Sequence, residues 1–223
     1  LKKSHIYKHK ALMLIKIGLP VSLQETMTNL SFLFIAAIVN SLGVVASAAV
    51  GIAGKFDAFA MLPASAFSGA IAAIAGQNIG AGKPERAKKS LNASMLLSVI
   101  CGMIFFLWAQ IFPESIMQIF KADMEVTASG VEYLRGFSFD FIMVSFIFCM
   151  NGFFNGCGKT TFSMANGLIS TLLVRVPLAY IFSVSLSSSL FGVGLAAPLA
   201  SLLSIILAVI YLQTGRWKKA VIT

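Results

Sequence analysis

Six apolar runs, each about as long as a membrane-spanning helix and parted by short polar gaps save for one longer polar connection at about 113–130, leave few folds open to this chain. The hydrocarbon core of a bilayer is about 30 Å thick, so a spanning helix needs about 20 apolar residues. The runs fall at about 15–41, 45–77, 90–112, 133–154, 161–183 and 191–212. Hydrophobic residues make up 58% of the 223 positions and charged residues 11%, less than half the ~25% of a soluble domain. Too few charges remain to cover a surface facing water. In lipid, each span must satisfy its own backbone polar groups, which helices do. The expectation is an all-α polytopic membrane helix bundle, a single six-helix unit over residues 1–223.

The net charge of +9 does not point to nucleic acid, because the cations sit in the gaps between apolar runs. If both termini are cytoplasmic, 13 of the 17 Lys and Arg fall on the inner side: Lys2, Lys3, Lys8, Lys10, Lys16, Lys83, Arg86, Lys88, Lys89, Lys159, Arg216, Lys218 and Lys219. Lys121 and Arg135 fall outside, and Lys55 and Arg175 within spans. That bias fixes the expected orientation, with both ends in the cytoplasm. The chain opens on Leu1, and its basic tail runs into a full-length span without a signal-peptide layout, so an upstream portion is expected.

The stretch AIAGQNIGAGKPERAKK, ending at Lys89, is the expected inner turn between the second and third spans. Gln77 and Asn78 close the apolar run, Gly80 and Gly82 allow backbone angles other residues resist, and Lys83 starts the basic cluster. Pro84 suits the first turn of the next helix, where its missing N–H costs nothing. Small residues in SAFSGAIAAIAG, and the G-x-x-x-G of Gly152 and Gly156, suit close helix packing. Gly18 and Pro20 mark entry into the first span, and Pro63 predicts a kink in the second. PESIMQIFKADMEV reads as a short amphipathic helix at the outer interface, with Ile116, Ile119 and Phe120 toward lipid. Ser185–Ser189 reads as a polar outer turn.

Five charged residues lie inside the expected spans: Glu25, Lys55, Asp57, Asp140 and Arg175. Each costs roughly 2.5–3.5 kcal/mol at a helix centre even on a lenient insertion scale. At ~1.5 Å rise per residue, Glu25 lies ~15 Å from the inner edge, Lys55 and Asp57 ~13–17 Å from the outer edge, and Asp140 and Arg175 ~10 Å from it. Three acids and two bases can therefore meet in the middle to outer half of one bundle. One function for them is a polar cavity that binds a proton, Na⁺ or an organic cation in competition, which is the chemistry of an antiporter. Gln24, Thr28 and Asn29 add polar groups beside Glu25. The alternative is internal charge pairing, Lys55 with an acid and Arg175 with Asp140, which holds helices in place.

Other chemistries find no residues. Cys101, Cys149 and Cys157 make no C-x-x-C pair, and His5 and His9 sit in the basic tail without acidic or Cys companions, so no metal site is expected. GCGKTT at Gly156–Thr161 lacks the first Gly of a P-loop, since Phe153 occupies that position, and no strand precedes it. No Ser/His/Asp or Cys/His set is present, so the chain is not expected to be an enzyme, and no cofactor is expected beyond a coupling ion, H⁺ or Na⁺.

Several motifs together are similar to those of MATE (multidrug and toxic compound extrusion) transporters, specifically their C-terminal half. They are GLP at Gly18–Pro20 with the polar patch after it, NSLG at Asn40–Gly43, AGQNIGAGKPERAKK, NGCGKTTF at Asn155–Phe162 and VRVP at Val174–Pro177. The resemblance covers about Leu14 to Trp217. It implies one six-helix lobe of a two-lobe transporter in the bacterial cytoplasmic membrane, lacking here its N-terminal six-helix partner. It implies export of small-molecule drugs, organic cations among them, in exchange for H⁺ or Na⁺, with the lobes rocking for alternating access. In some branches the first helix of this lobe bears a carboxylate eight residues after the Pro. That position is Thr28 here, and Glu25 comes five after Pro20. The alternatives are a lipid-linked oligosaccharide flippase-like transporter of the same superfamily, or a non-transporting fragment.

Overall fold

The computed structural model describes residues 8–185 and 189–218. Its elements are α1 (Lys8–Ser41), α2 (Val44–Gly80), α3 (Pro84–Ile111), α4 (Pro113–Ile119), α5 (Met124–Phe137), α6 (Phe139–Gly156), α7 (Thr160–Leu168), a π-helical stretch (Ile169–Arg175), α8 (Val176–Ser185), α9 (Leu190–Gln213) and a 3₁₀ turn (Arg216–Lys218). Six segments are long and apolar enough to cross a membrane: 14–40, 44–80, 84–111, 139–156, 160–184 and 190–213. Many large apolar side chains face outward along them, among them Leu14, Leu33, Phe59, Leu96, Ile104 and Leu173. Hydrocarbon is the solvent that makes such a surface favourable, and the chain is a multi-pass, all-α membrane protein.

The helices are bounded by turn chemistry. Pro84 and Pro113 stand in the first turns of α3 and α4. The ends of α2 and α6 close with the same turn. At GAGK, Ala81 N–H donates to Gln77, Gly82 to Ile79 and Lys83 to Asn78; at GCGK, Cys157 donates to Phe153, Gly158 to Asn155 and Lys159 to Phe154. Gly82 and Gly158 carry φ of 69° and 74°, which glycine adopts without a Cβ penalty. The second turn accounts for the Lys-Thr run that invites a P-loop comparison. Gly80, expected in the first turn, is instead the last helical residue of α2.

Gly18 and Pro20 also lie inside a helix rather than at its entry, since α1 is already helical at Lys8. The third span begins at Pro84 rather than near Ser90 because the basic segment joins the helix. The fourth span is broken at Ser138, where Gln110 Nε2 donates to the Ser138 hydroxyl at 2.9 Å. Ile116 corrects the expectation for α4. It is fully buried while Ile119 is exposed, because α4 folds back on α5 and inserts Ile116 and Met117 into the bundle. Of the polar outer turn, residues 186–188 lie outside the described residues, as do His5, Lys2, Lys3, Lys219 and the side chains of Lys8, His9 and Lys10.

Helix α2 is the spine of the bundle and packs on α3, α5 and α6; α9 packs on α5, α6 and α8; α1 lies against α7 and α8. Glycines set the closest contacts. A Cβ on Gly152 would strike the Ser68 carbonyl and one on Gly156 that of Ala72, so the G-x-x-x-G face of α6 seats directly on the backbone of α2. Two apolar clusters result. One, toward the α1–α2 turn, holds Phe56, Ile116, Leu134, Phe137, Phe141 and Val193. The other, toward the basic turns, holds Ile71, Leu91, Phe153, Phe154 and Trp217.

Candidate functional site

Two cavities open within the lobe, and Arg175 and Phe32 line both. The larger is about 230 Å³ and is walled by α1, α6, the π-helical stretch and α9. Gln24, Glu25, Thr28 and Asn29 reach it from α1, and Asp140, Asn151 and Asn155 from α6. Ser170, Thr171 and Arg175 come from the π-helical stretch, and Ser201 and Ser204 from α9. The smaller, about 220 Å³, lies between α1 and α2 and is bordered by Asp57, Tyr133, Phe137 and Arg175.

The local sequence explains the first cavity. Along α6, Asp140, Val144, Ile147, Phe148, Asn151 and Asn155 recur at helical spacing and put their polar members on one face. On α9, Ser201 and Ser204 share a face in the same way, and Thr28 turns its hydroxyl back to the Gln24 carbonyl at 2.9 Å. Pro177 shapes the fourth wall. It has no N–H to donate, and its ring displaces the carbonyl four residues earlier. The turn ahead of it widens into the π-helical stretch that ends on Arg175, and such widened turns recur at functional sites.

Asp140 is 3% exposed and accepts a short hydrogen bond from Ser201 Oγ at 2.5 Å. Arg175 is 7% exposed, its guanidinium carbon is 4.4 Å from the Phe32 ring centroid, and its Nε has no partner. Asn166 donates to the Ser204 hydroxyl at 2.9 Å. The side-chain oxygens of Asn151, Asn155 and Asn166 are buried without donors. A buried polar group left this way carries a free-energy cost unless water or a bound group satisfies it, and two of the three, Asn151 and Asn155, line the cavity.

Of the residues singled out in the sequence, Gln24, Glu25, Thr28, Asn29, Asp140 and Arg175 are gathered in one cavity. Glu25 lies at its exposed rim. Asp57 is buried, but in the neighbouring cavity. The expected charge pairing does not form. Among the described residues the one ion pair within 4.0 Å is Lys218–Glu85. Lys55 is exposed on α2 with its ammonium 5.6 Å from the Phe120 ring centroid, and Arg175 spends its face on Phe32. Gln77, Asn78, Gly80, Gly82 and Lys83 lie at the basic end, away from both cavities, with Asn78 Nδ2 bonded to the Ile74 carbonyl at 2.8 Å. Sequence reasoning overlooked Phe32, Asn151, Asn155, Ser201 and Ser204. The four-residue polar spacing on α6 was the available signal.

A family model described as MatE matches residues 20–181. The chain belongs to the MatE family. Among curated MatE-like relatives, the "Probable multidrug resistance protein YpnP" of Bacillus subtilis is 27% identical over 92% of the chain and 46% of its own length. The "Probable multidrug resistance protein NorM" of Thermotoga maritima is 26% identical over 94% of the chain and 46% of its own. The MatE chain spans about half the length of the curated relatives it matches. The fold is shared with an outward-facing multidrug resistance MATE family transporter of the MOP superfamily, with a TM-score of 0.84 at 15% identity over 96% of the chain and 49% of that structure. A MOP superfamily transporter from Pyrococcus furiosus gives 0.79 at 23% identity over 92% and 45%.

Proposed function

We propose that this chain is the C-terminal six-helix lobe of a multidrug efflux antiporter that exchanges H⁺ or Na⁺ for organic cations or other drugs. The observation that carries the proposal is Asp140: a carboxylate inside an apolar bundle, held by Ser201 and open to a polar cavity. A carboxylate in such a place is a functional group before it is a structural one, because its burial is costly. Asp140 takes the coupling cation, and Ser201 fixes the carboxylate's orientation. Gln24, Thr28, Asn29, Asn151 and Asn155 supply the polar groups that a cation and its waters need. Glu25, at the rim, draws cations toward the cavity. Within the full transporter this lobe faces a second six-helix lobe, and both of its ends lie in the cytoplasm by the distribution of Lys and Arg.

The test is ion-driven efflux of a fluorescent cationic dye by the polypeptide as the cell makes it, comparing wild type with Asp140→Asn and Glu25→Gln. Loss of gradient-driven efflux in Asp140→Asn, with a smaller loss in Glu25→Gln and normal membrane insertion of both, supports the proposal. Wild-type rates in Asp140→Asn refute it.

A further inference from the structure

Asp57 has no place in the cavity of Asp140. It is 6% exposed, its Oδ1 is buried without a hydrogen-bond partner, and it lines the separate 220 Å³ space between α1 and α2. No Lys or Arg side-chain nitrogen among the described residues comes within 4.0 Å of its carboxylate oxygens.

The charges explain why this matters. Asp57, Asp140 and Arg175 are all buried. Arg175 is the one base among the residues lining the two cavities, and it borders both. One guanidinium cannot neutralise two carboxylates, and a buried charge without compensation is unstable. Asp140 has the Ser201 hydroxyl to share its charge, while Asp57 has neither partner. Asp57 is therefore the acid left to balance its charge with a proton or with a bound cation.

The walls of that space choose the cation. A bare metal ion seeks several oxygen ligands, and among the described residues no three His, Cys, Asp or Glu converge. The Asn40 side-chain oxygen nearby is already engaged by the Ser47 hydroxyl at 2.6 Å. Apart from Arg175, which covers the face of Phe32, the rest of the lining is apolar and aromatic, with Ile35, Val39, Tyr133 and Phe137. A carboxylate among aromatic rings is the recognised chemistry for substituted ammonium groups. The volume is below the ~300 Å³ at which drug-sized sites begin, so the site takes a small ammonium.

The geometry points to a second cation site in this lobe: a pocket between α1 and α2, centred on Asp57 and walled by Phe32, Tyr133 and Phe137, that binds a small alkylammonium separately from the Asp140 cavity. Arg175 forms the partition between the two, so a cation in one site alters the field in the other. The inference concerns binding alone and stands whether or not Asp140 couples transport.

The test is equilibrium binding of radiolabelled tetramethylammonium to the purified full polypeptide in detergent at neutral pH, with K⁺ as the salt. Saturable binding is expected, weakened at least about tenfold in Asp57→Asn, which removes the partner charge. Ala36→Phe, at the exposed mouth of the pocket, blocks access without touching the carboxylate and gives the same loss if Asp57→Asn fails to fold. Asp140→Asn retains binding, weakened only a few-fold because Arg175 is left to face Asp57 alone. Replacing K⁺ by Na⁺ weakens binding by no more than the few-fold seen in Asp140→Asn. Binding that survives both Asp57→Asn and Ala36→Phe, that vanishes in Asp140→Asn, or that Na⁺ weakens further than that overturns the inference.

Discussion

The Arg175 guanidinium carbon lies 4.4 Å from the centre of the Phe32 ring, and these two side chains form the partition shared by both cavities. The arrangement replaces the salt bridge that the sequence suggests. A guanidinium is weakly hydrated and stacks on aromatic faces, so a ring can hold it where a carboxylate would neutralise it. The two acids are thereby left without an ion pair within 4.0 Å.

Phe32→Leu keeps the apolar character of the partition and removes the ring face. A desolvated cation–π contact is worth up to about 2 kcal/mol, so the variant is expected to lose about 1–2 kcal/mol in reversible unfolding in detergent. Lys55→Gln, which removes an exposed ammonium 5.6 Å from the Phe120 ring centroid, is expected to leave stability unchanged.

The α2–α6 contact predicts a contrast among glycines. Gly69→Ala adds a methyl where nothing lies within 4 Å and is expected to be neutral or to gain up to about 1 kcal/mol from helix propensity. Gly152→Ala drives a methyl into the Ser68 backbone and is expected to cost about 1–3 kcal/mol or to prevent folding. Thermal unfolding of the two purified variants checks the difference in sign.

The turn after α2 predicts a second contrast. Gly82 has φ of 69° while Gly80 is helical. Gly82→Ala is expected to cost roughly 1–2 kcal/mol, and Gly80→Ala nothing or a small gain. Denaturation of each variant in detergent reads the two values.

Much of this was legible beforehand. The six spans follow from apolar run length, and the turns at Gly82 and Gly158 from Gly-rich sequence beside Lys. Gln24, Glu25, Thr28, Asn29, Asp140 and Arg175 could be singled out because polar groups in apolar runs are costly enough to mean something. Asn151, Asn155, Ser201 and Ser204 escaped notice because uncharged side chains spread over two spans give no joint signal; only the packing of α6 against α9 reveals that they share a cavity. Ile116 was misplaced for a related reason. Its spacing marks an amphipathic face, but spacing alone does not say whether that face meets lipid or the bundle. Arg175 was matched to Asp140 by depth alone, whereas rotation about the helix axis, altered by the π-helical stretch, turns it onto Phe32.

The 3₁₀ turn at Arg216–Lys218 carries weight out of proportion to its length. Trp217 is 1% exposed, stacks edge-on with Phe153 at 4.9 Å between ring centroids, and donates from Nε1 to the Leu212 carbonyl at 2.9 Å. Trp217→Ala is expected to cost about 3–5 kcal/mol, seen as a lowered unfolding midpoint. The Lys218–Glu85 pair beside it is exposed at 47% and 69%, and Glu85→Gln is expected to leave that midpoint where it was.

The most direct test of the account is dye efflux in inside-out vesicles carrying the polypeptide as the cell makes it, driven first by an imposed pH gradient and then by a Na⁺ gradient. The account predicts that one gradient drives efflux in wild type and in Lys55→Gln, and that Asp140→Asn, inserted at normal levels, abolishes the response. Full gradient-driven efflux by Asp140→Asn would contradict it.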